Sequence, residues 1–222
     1  MLFRSNGMTN AAVPGDIAAQ TKTVLDNGAA VLKQAGLSYN DVVSARVYLA
    51  DAATFQAMNA AYRPYFGDVP PARLTVMAGL PGAEYAVEVS MIAVKDASRT
   101  AITTPNADGS AGRPNPNLSS AIRVGNTLYI SGTIGNTPAA RGDLRGQSTE
   151  ILNRVDRTLK AAGFAKADIV DATVFMADMT KFGDMNDVYR AWFGGAFPAR
   201  ATVGIGPVGD DILLEMMFVA VK

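Results

Sequence analysis

The stretch Pro71-Ala72-Arg73-Leu74-Thr75-Val76 recurs further along the chain as Pro198-Ala199-Arg200-Ala201-Thr202-Val203. Subtracting the two arginine numbers, 200 − 73, gives an offset of 127 residues. At that offset residues 20–95 align with residues 147–222 without a gap, and roughly 30 of these 76 positions are identical. The period is far too long for a solenoid, so the repeat predicts two copies of one domain.

The repeat divides the 222 residues into two predicted domains, at 1–97 and 98–222. The second domain is expected to be complete and to begin with a linker, residues 98–117, that is rich in Pro, Gly and Asn. The first domain starts later in the repeat and is expected to lack the early strand pair. Because domains this small bury little core alone, we expect the halves to pack together or to oligomerise.

Hydrophobic spacing predicts two helices in each repeat. These helices are expected at residues 17–35, 52–66, 147–162 and 180–193. Alternating apolar residues predict strands between and after them. The last two strands of each repeat are expected to form a hairpin, 73–78 with 86–94 and 200–205 with 212–221. The predicted class is α+β, with two helices on one face of each sheet.

The chain has no histidine and no cysteine, which excludes Ser-His-Asp and Cys-His catalysis and imidazole or thiolate metal sites. Any chemistry must therefore come from Arg, Lys, carboxylates, hydroxyls, amides or bound water, and no residue is assigned to a metal. Twenty basic and twenty acidic residues balance, so no net field favours nucleic acid or an anionic membrane. No apolar run reaches membrane-spanning length, and no secretory signal pattern opens the chain, so we expect a cytoplasmic protein.

A polar patch is predicted on each closing hairpin. Arg200 and Thr202 are two residues apart on a strand and therefore share a face, and the hairpin would set Thr202 opposite Glu215. The first repeat is expected to do the same with Arg73, Thr75 and Glu88. A guanidinium suits a carboxylate, and a nearby carboxylate can activate water. The patch indicates a site for a small acid that reacts with water, or else a structural cross-strand ion pair.

Several short motifs together resemble one known family. The segments Phe197–Val203 and Leu214–Val221, preceded by Tyr129-Ile130-Ser131-Gly132, resemble the signature of the RidA (YjgF, reactive intermediate deaminase) family. In the first repeat, Gly15–Thr21 and Pro71–Arg73 match the same family in the same order. The resemblance covers nearly the whole chain except the linker.

The resemblance implies a chorismate-mutase-like α+β fold, here in tandem, that assembles as a trimer with clefts between neighbouring units. It also implies cofactor-free hydrolysis of enamines or imines, such as 2-aminoacrylate or 2-iminopropanoate, to a 2-keto acid and ammonia. The tandem chain is expected to form a homo-oligomer, a trimer of six repeats. Its partners would be small carboxylate substrates and not nucleic acid or membrane.

The resemblance also assigns roles to individual residues. The family's catalytic and carboxylate-binding positions fall on Arg200, Thr202 and Glu215, on their equivalents Arg73, Thr75 and Glu88, and on the substrate contacts Asn186, Asn59 and Ser131. The sequence departs from the family at Leu118, which replaces a tyrosine on the early strand. Two alternatives stay open: a non-catalytic binder or sensor of keto or amino acids that uses the same arginine pocket, and a different hydrolase of one catabolic pathway.

Overall fold

The computed structural model describes residues 2–4 and 16–222, so Gly15 of the resembling stretch lies outside the described residues. The regular elements are four helices and ten strands within this part of the chain. In chain order they are β1 (Leu2–Arg4), α1 (Ile17–Gln34), β2 (Val42–Leu49), α2 (Phe55–Tyr62), β3 (Ala72–Met77), β4 (Val87–Val94), β5 (Thr100–Ile102), β6 (Ala121–Val124), β7 (Thr127–Ile134), α3 (Leu144–Ala161), β8 (Ile169–Met176), α4 (Phe182–Phe193), β9 (Ala199–Val203) and β10 (Leu214–Val221).

The strands form two sheets, one for each repeat. The first sheet has the order β1-β4-β2-β3 and the second the order β5-β6-β7-β10-β8-β9. In each sheet one pair is parallel, β2 with β3 and β8 with β9, and the other neighbours are antiparallel. Both sheets are therefore mixed, and each parallel pair is joined by a crossover through a helix, α2 or α4.

One face of each sheet is covered by its two helices. In the first repeat Leu25 and Leu32 of α1 share a buried core with Val47 of β2 and Val89 of β4. In the second, α3 and α4 enclose an equivalent core against β8 and β10. The predicted class is confirmed: the fold is α+β, with two tandem chorismate-mutase-like domains. No helix in the described residues is long and apolar enough to cross a membrane.

The faces without helices bring the two domains together. One apolar cluster joins Val43 and Ala72 of the first domain to Ile122 of the second. Another joins Leu74 of the first domain to Met217 of the second. Strand β3 also makes backbone contacts across this boundary, since the amide of Met77 donates to Gly206. The two halves thus bury part of each other's sheet. The domain boundary at 97/98 remains a proposal.

The predicted closing hairpins are wrong. Strand β10 does not pair with β9, because β8 lies between them, and β4 is likewise separated from β3 by β2. The physical reason is burial. Residues 214–221 are apolar at almost every position and are buried on both faces, which suits a central strand, whereas β9 carries the small residues Ala199 and Ala201 at an exposed edge.

The expectation that the first repeat lacks both early strands also needs correction. Strand β1 lies antiparallel beside β4, in the place that β7 occupies beside β10. One strand of the pair is therefore present in short form. In the described residues the first sheet has no counterpart of β6, the strand that lies on the far side of β7.

Candidate active site between the two domains

Arg73 is held by three side chains of helix α2. Its Nη2 donates to Oδ1 of Asn59 at 2.7 Å, and its Cζ lies 4.7 Å from the ring centroid of Tyr62 and 5.9 Å from that of Phe55. The three holding residues are spaced four and three positions apart, so they share one helix face. The crossover from α2 to β3 brings this face over the arginine. We call this group the arginine clamp.

The second repeat builds the same arginine clamp from α4 and β9. Nη2 of Arg200 donates to Asn186 at 2.8 Å, and its Cζ lies 4.4 Å from the ring of Tyr189 and 5.6 Å from that of Phe182. The two predicted helix asparagines therefore bind the arginines directly. The clamp is therefore a shared feature of the two repeats.

The two arginines differ in burial and in whether they have buried N–H donors without a hydrogen-bond partner. Arg73 is only 2% exposed, whereas Arg200 is half-buried. Nε and Nη1 of Arg73 are buried and have no hydrogen-bond acceptor among the described residues. A guanidinium cannot lose its charge, and leaving its donors unmatched away from water is costly. Nε and Nη1 face opposite edges of the guanidinium plane, so a bound carboxylate that accepts two parallel hydrogen bonds would meet one of them together with Nη2, which has a second hydrogen besides the one donated to Asn59.

Glu215 of the second domain is the carboxyl group that interacts electrostatically with Arg73, although the two do not form an ion pair. It is 6% exposed, and the backbone N–H of Thr75, two residues beyond Arg73, hydrogen-bonds to it. Burial raises the pKa of Glu215 to about 8, against the opposing influences of the Arg73 charge and the Thr75 N–H. The carboxyl is therefore mostly protonated at neutral pH, and it can donate and accept a proton in that range.

Gly132 makes this close approach of the domains feasible. A Cβ atom built on Gly132 would lie 1.9 Å from Oε1 of Glu215 and 2.9 Å from Cδ1 of Leu74. No side chain can be added there without displacing the Glu215 carboxyl group and the end of the Leu74 side chain on β3. The glycine thus keeps the two halves of the site in contact.

Ser131 ties the same place together through its hydroxyl group. Its Oγ accepts from the backbone N–H of Arg73 at 2.8 Å and donates to the carbonyl of Ser119 at 2.5 Å. Since the single hydroxyl proton is used, Ser131 can offer a ligand only an acceptor. In this structure Ser131 positions strand β3 across the domain boundary.

The structure combines the predicted residues differently from the sequence analysis. Arg73 and Thr75 meet Glu215 across the domain boundary and not Glu88 of their own repeat, because β2 separates β3 from β4. Arg200 and Thr202 likewise lie two strands from Glu215. The predicted patch within each hairpin is therefore wrong.

The remaining predicted residues stay apart from this site. Glu88 lies on the half-buried face of β4, opposite Tyr48 of β2. Arg200 has no carboxylate partner in the described part of the chain, and the buried Oγ1 of Thr202 has no hydrogen-bond partner there. Within one chain, the Arg73 half-site is completed and the Arg200 half-site is not.

Sequence reasoning missed the aromatic side of the clamp and assigned its rings to the core. A signal was present, because Phe55, Asn59 and Tyr62 recur at the repeat offset as Phe182, Asn186 and Tyr189. An asparagine conserved between repeats on the same helical face as two rings indicates a polar partner. In the described residues no cluster of three acidic side chains could hold a metal ion.

Comparison with known proteins identifies relatives for both halves. A family model described as Endoribonuclease L-PSP matches residues 4–95 and 110–222. A RutC family protein of Sulfurisphaera tokodaii is 39% identical over 116 residues, which cover 50% of this chain and 93% of that protein. The 2-iminobutanoate/2-iminopropanoate deaminase of Bos taurus is 35% identical over 108 residues, or 47% of this chain and 79% of that protein.

One solved structure resembles the whole chain. A chorismatase crystal structure has a TM-score of 0.71 and covers 99% of this chain, with 73% of its own chain matched. At 16% sequence identity this likeness concerns the fold alone. The sequence relatives each align with about half of the chain, whereas the chorismatase aligns with both repeats together.

Proposed function

The chain belongs to the Endoribonuclease L-PSP (RidA/YjgF) family, and on this premise we propose that it hydrolyses 2-imino acids to 2-keto acids and ammonia. The observation that carries the proposal is the buried guanidinium of Arg73, which has two unmatched donors beside the Glu215 carboxyl group. Deaminases of 2-iminobutanoate and 2-iminopropanoate among the relatives support this substrate class.

The proposed reaction needs only groups that this chain supplies, plus water. Arg73 holds the substrate carboxylate along one edge of its guanidinium, through Nε or Nη1 together with Nη2, which fixes the adjacent C=N carbon. Protonated Glu215 gives its proton to the imine nitrogen, and water then adds to the carbon while the Glu215 carboxylate takes the proton that the water releases. A second transfer of that proton to nitrogen expels ammonia, and the carbinol hydroxyl returns its proton to the Glu215 carboxylate as the C=O bond forms, which restores the protonated acid.

Positioning would contribute much of the rate enhancement in this scheme. Holding the carboxylate in a fixed orientation beside the acid can lower the barrier by several kcal/mol without a protein nucleophile. The elevated pKa of Glu215 places its proton transfer near neutral pH, where general acid–base catalysis is most efficient. The balance of 20 basic and 20 acidic residues gives no electrostatic support for the RNA substrate that the family description names.

The test is to measure ammonia release and pyruvate formation from freshly generated 2-iminopropanoate. The wild-type protein is expected to accelerate hydrolysis above the spontaneous rate. Glu215→Gln is expected to lose about a hundredfold or more in kcat while still binding pyruvate, because the amide cannot exchange a proton. If the wild type binds pyruvate but never accelerates hydrolysis, the alternative of a keto-acid binder or sensor replaces the enzyme.

A further inference from the structure

A polar cleft separates the helix-free faces of the two sheets, away from Arg73. Its volume is about 660 Å³, and both domains line it, with Ser44, Arg46 and Ser90 from the first and Asp171 and Thr173 from the second. Along β2 these positions fall between Val43 and Tyr48, which belong to the two apolar clusters of the domain boundary. The cleft is therefore a polar cavity within an otherwise apolar contact between the two domains.

Arg46 lines this cleft with most of its donors unused. Among the described residues its guanidinium makes one hydrogen bond, from Nη2 to Oγ1 of Thr173, and that contact is long at 3.4 Å. It forms no salt bridge with a described carboxylate. A guanidinium has five N–H donors in a fixed plane, so a face that can clamp a carboxylate remains available.

Asp171 contributes the opposite charge to the same cleft. Its side chain is exposed and forms no salt bridge with a described cation, Arg46 included. The two charges are therefore both in the cleft but too far apart to pair directly. Two opposite charges held apart in one cleft match a small molecule that carries both a carboxylate and an ammonium group.

The two repeats differ at the positions that line this cleft. Position 46 is equivalent to 173 and position 44 to 171 at the offset of 127, so Arg46 hydrogen-bonds to its own repeat equivalent. The cleft therefore lies where equivalent positions meet. If the two repeats carried identical side chains there, groups of the same charge would face each other. Instead the first repeat carries Ser44 and Arg46 and the second carries Asp171 and Thr173, which separates a positive wall from a negative wall.

We propose that this cleft between the domains binds a free α-amino acid, with its carboxylate on Arg46 and its ammonium group on Asp171. This site is distinct from the one at Arg73 and does not depend on the reaction proposed there. Ser44 and Ser90 offer hydroxyl groups for the remaining polar atoms. Because both domains contribute, a bound amino acid would bridge them.

Isothermal titration calorimetry with L-alanine and L-serine tests the proposal. Pyruvate, which lacks an ammonium group, is the comparator and is titrated into Arg73→Met so that the substrate site proposed at Arg73 does not contribute. Saturable binding of an amino acid is expected for the wild type, and Arg46→Met and Asp171→Asn should each weaken it at least about tenfold. Arg113→Met, which removes an exposed linker charge, is the matched control and should leave binding unchanged. Arg73→Met should also leave it unchanged.

Three results would overturn the proposal. They are the absence of saturable binding at millimolar amino acid, binding that survives both cleft variants, and binding that is lost in Arg73→Met. A fourth result, pyruvate binding to Arg73→Met as tightly as L-alanine does, would contradict the role of Asp171. If Arg46→Met fails to fold, Ser90→Leu fills the cleft without changing a charge and is expected to block amino-acid binding.

Discussion

Glu215 shows how one residue couples the chemistry of the site to the stability of the fold. Its pKa is raised from 4.5 to about 8, mainly by burial, so the folded protein keeps a proton that the unfolded chain releases at lower pH. Where the native state binds more protons, stability falls as pH rises. This carboxyl group therefore costs no stability below about pH 4.5, and the cost grows up to about pH 8.

A prediction at the residue scale concerns this pH dependence. Glu215→Gln removes the titration, so its free energy of unfolding relative to wild type should rise between pH 5 and pH 8, by on the order of a few kcal/mol. Urea unfolding at a series of pH values measures the difference. Glu88→Gln is the matched control in the first repeat and should show no such trend. A constant difference between Glu215→Gln and wild type would refute the buried, protonated carboxyl.

The arginine clamp belongs to the scale of elements, because a helix and the strand after it create it together. Asn59 is 3% exposed and accepts from a buried guanidinium, whereas Asn186 accepts from a half-buried one. Removing an acceptor from a buried charged donor costs more than removing it where water can replace it. The two repeats therefore offer the same change in two environments.

We predict that Asn59→Ala destabilises the protein by about 1–3 kcal/mol and Asn186→Ala by less than about 1 kcal/mol. Both values follow from urea unfolding under identical conditions. Equal losses from the two variants would show that the burial of Arg73 does not govern the energetics of its clamp.

Element positions were easier to predict from sequence than element neighbours. The helices and most strands lie close to their predicted places because hydrophobic period and the glycines after α1 and α3 are local signals. The hairpin predictions were wrong because strand pairing depends on residues that are far apart in the sequence. A helix followed by a strand favours a parallel crossover, and the apolar run at 214–221 favours a central position, so β10 inserts between β7 and β8.

The sequence analysis predicted most residues of the candidate site, but it did not predict which of them lie together. Arg73, Thr75, Asn59, Ser131 and Glu215 all take part, yet they come from two domains. A contact between domains has no characteristic residue spacing in the sequence. Residues 73 and 215 come near each other in space only because the two whole sheets pack together. Gly132 at the end of a predicted strand is a local signal of such a contact, as a place where another side chain comes close.

At the scale of the whole molecule, strand β9 forms an edge of the second sheet that no strand among the described residues covers. The equivalent strand β3 is covered by the second domain, where Ser119 donates to Pro71 and the amide of Arg73 donates to Ser131. Edge strands without cover tend to pair with other chains. This asymmetry supports the predicted homo-oligomer, for which a trimer of six repeats remains our proposal.

Static light scattering at micromolar concentration tests that assembly and is expected to give a mass above that of one chain. Ala201→Lys places a charge on the exposed face of β9 and should reduce the mass without changing the far-UV circular dichroism. Arg113→Met serves again as the control with an exposed position unrelated to β9. A single-chain mass for the wild type would contradict the assembly proposal.

The central claim is that the site is built across the two repeats from Arg73 and Glu215. The most direct test is the rate of ammonia release from 2-iminopropanoate by Arg73→Lys and by its repeat equivalent, Arg200→Lys. A lysine keeps the charge but cannot form the planar fork, so Arg73→Lys should lose about a hundredfold or more in kcat/KM. Arg200→Lys should retain most of the wild-type rate. Full activity in Arg73→Lys, or an equal loss in both variants, would contradict a site completed within one chain at Arg73.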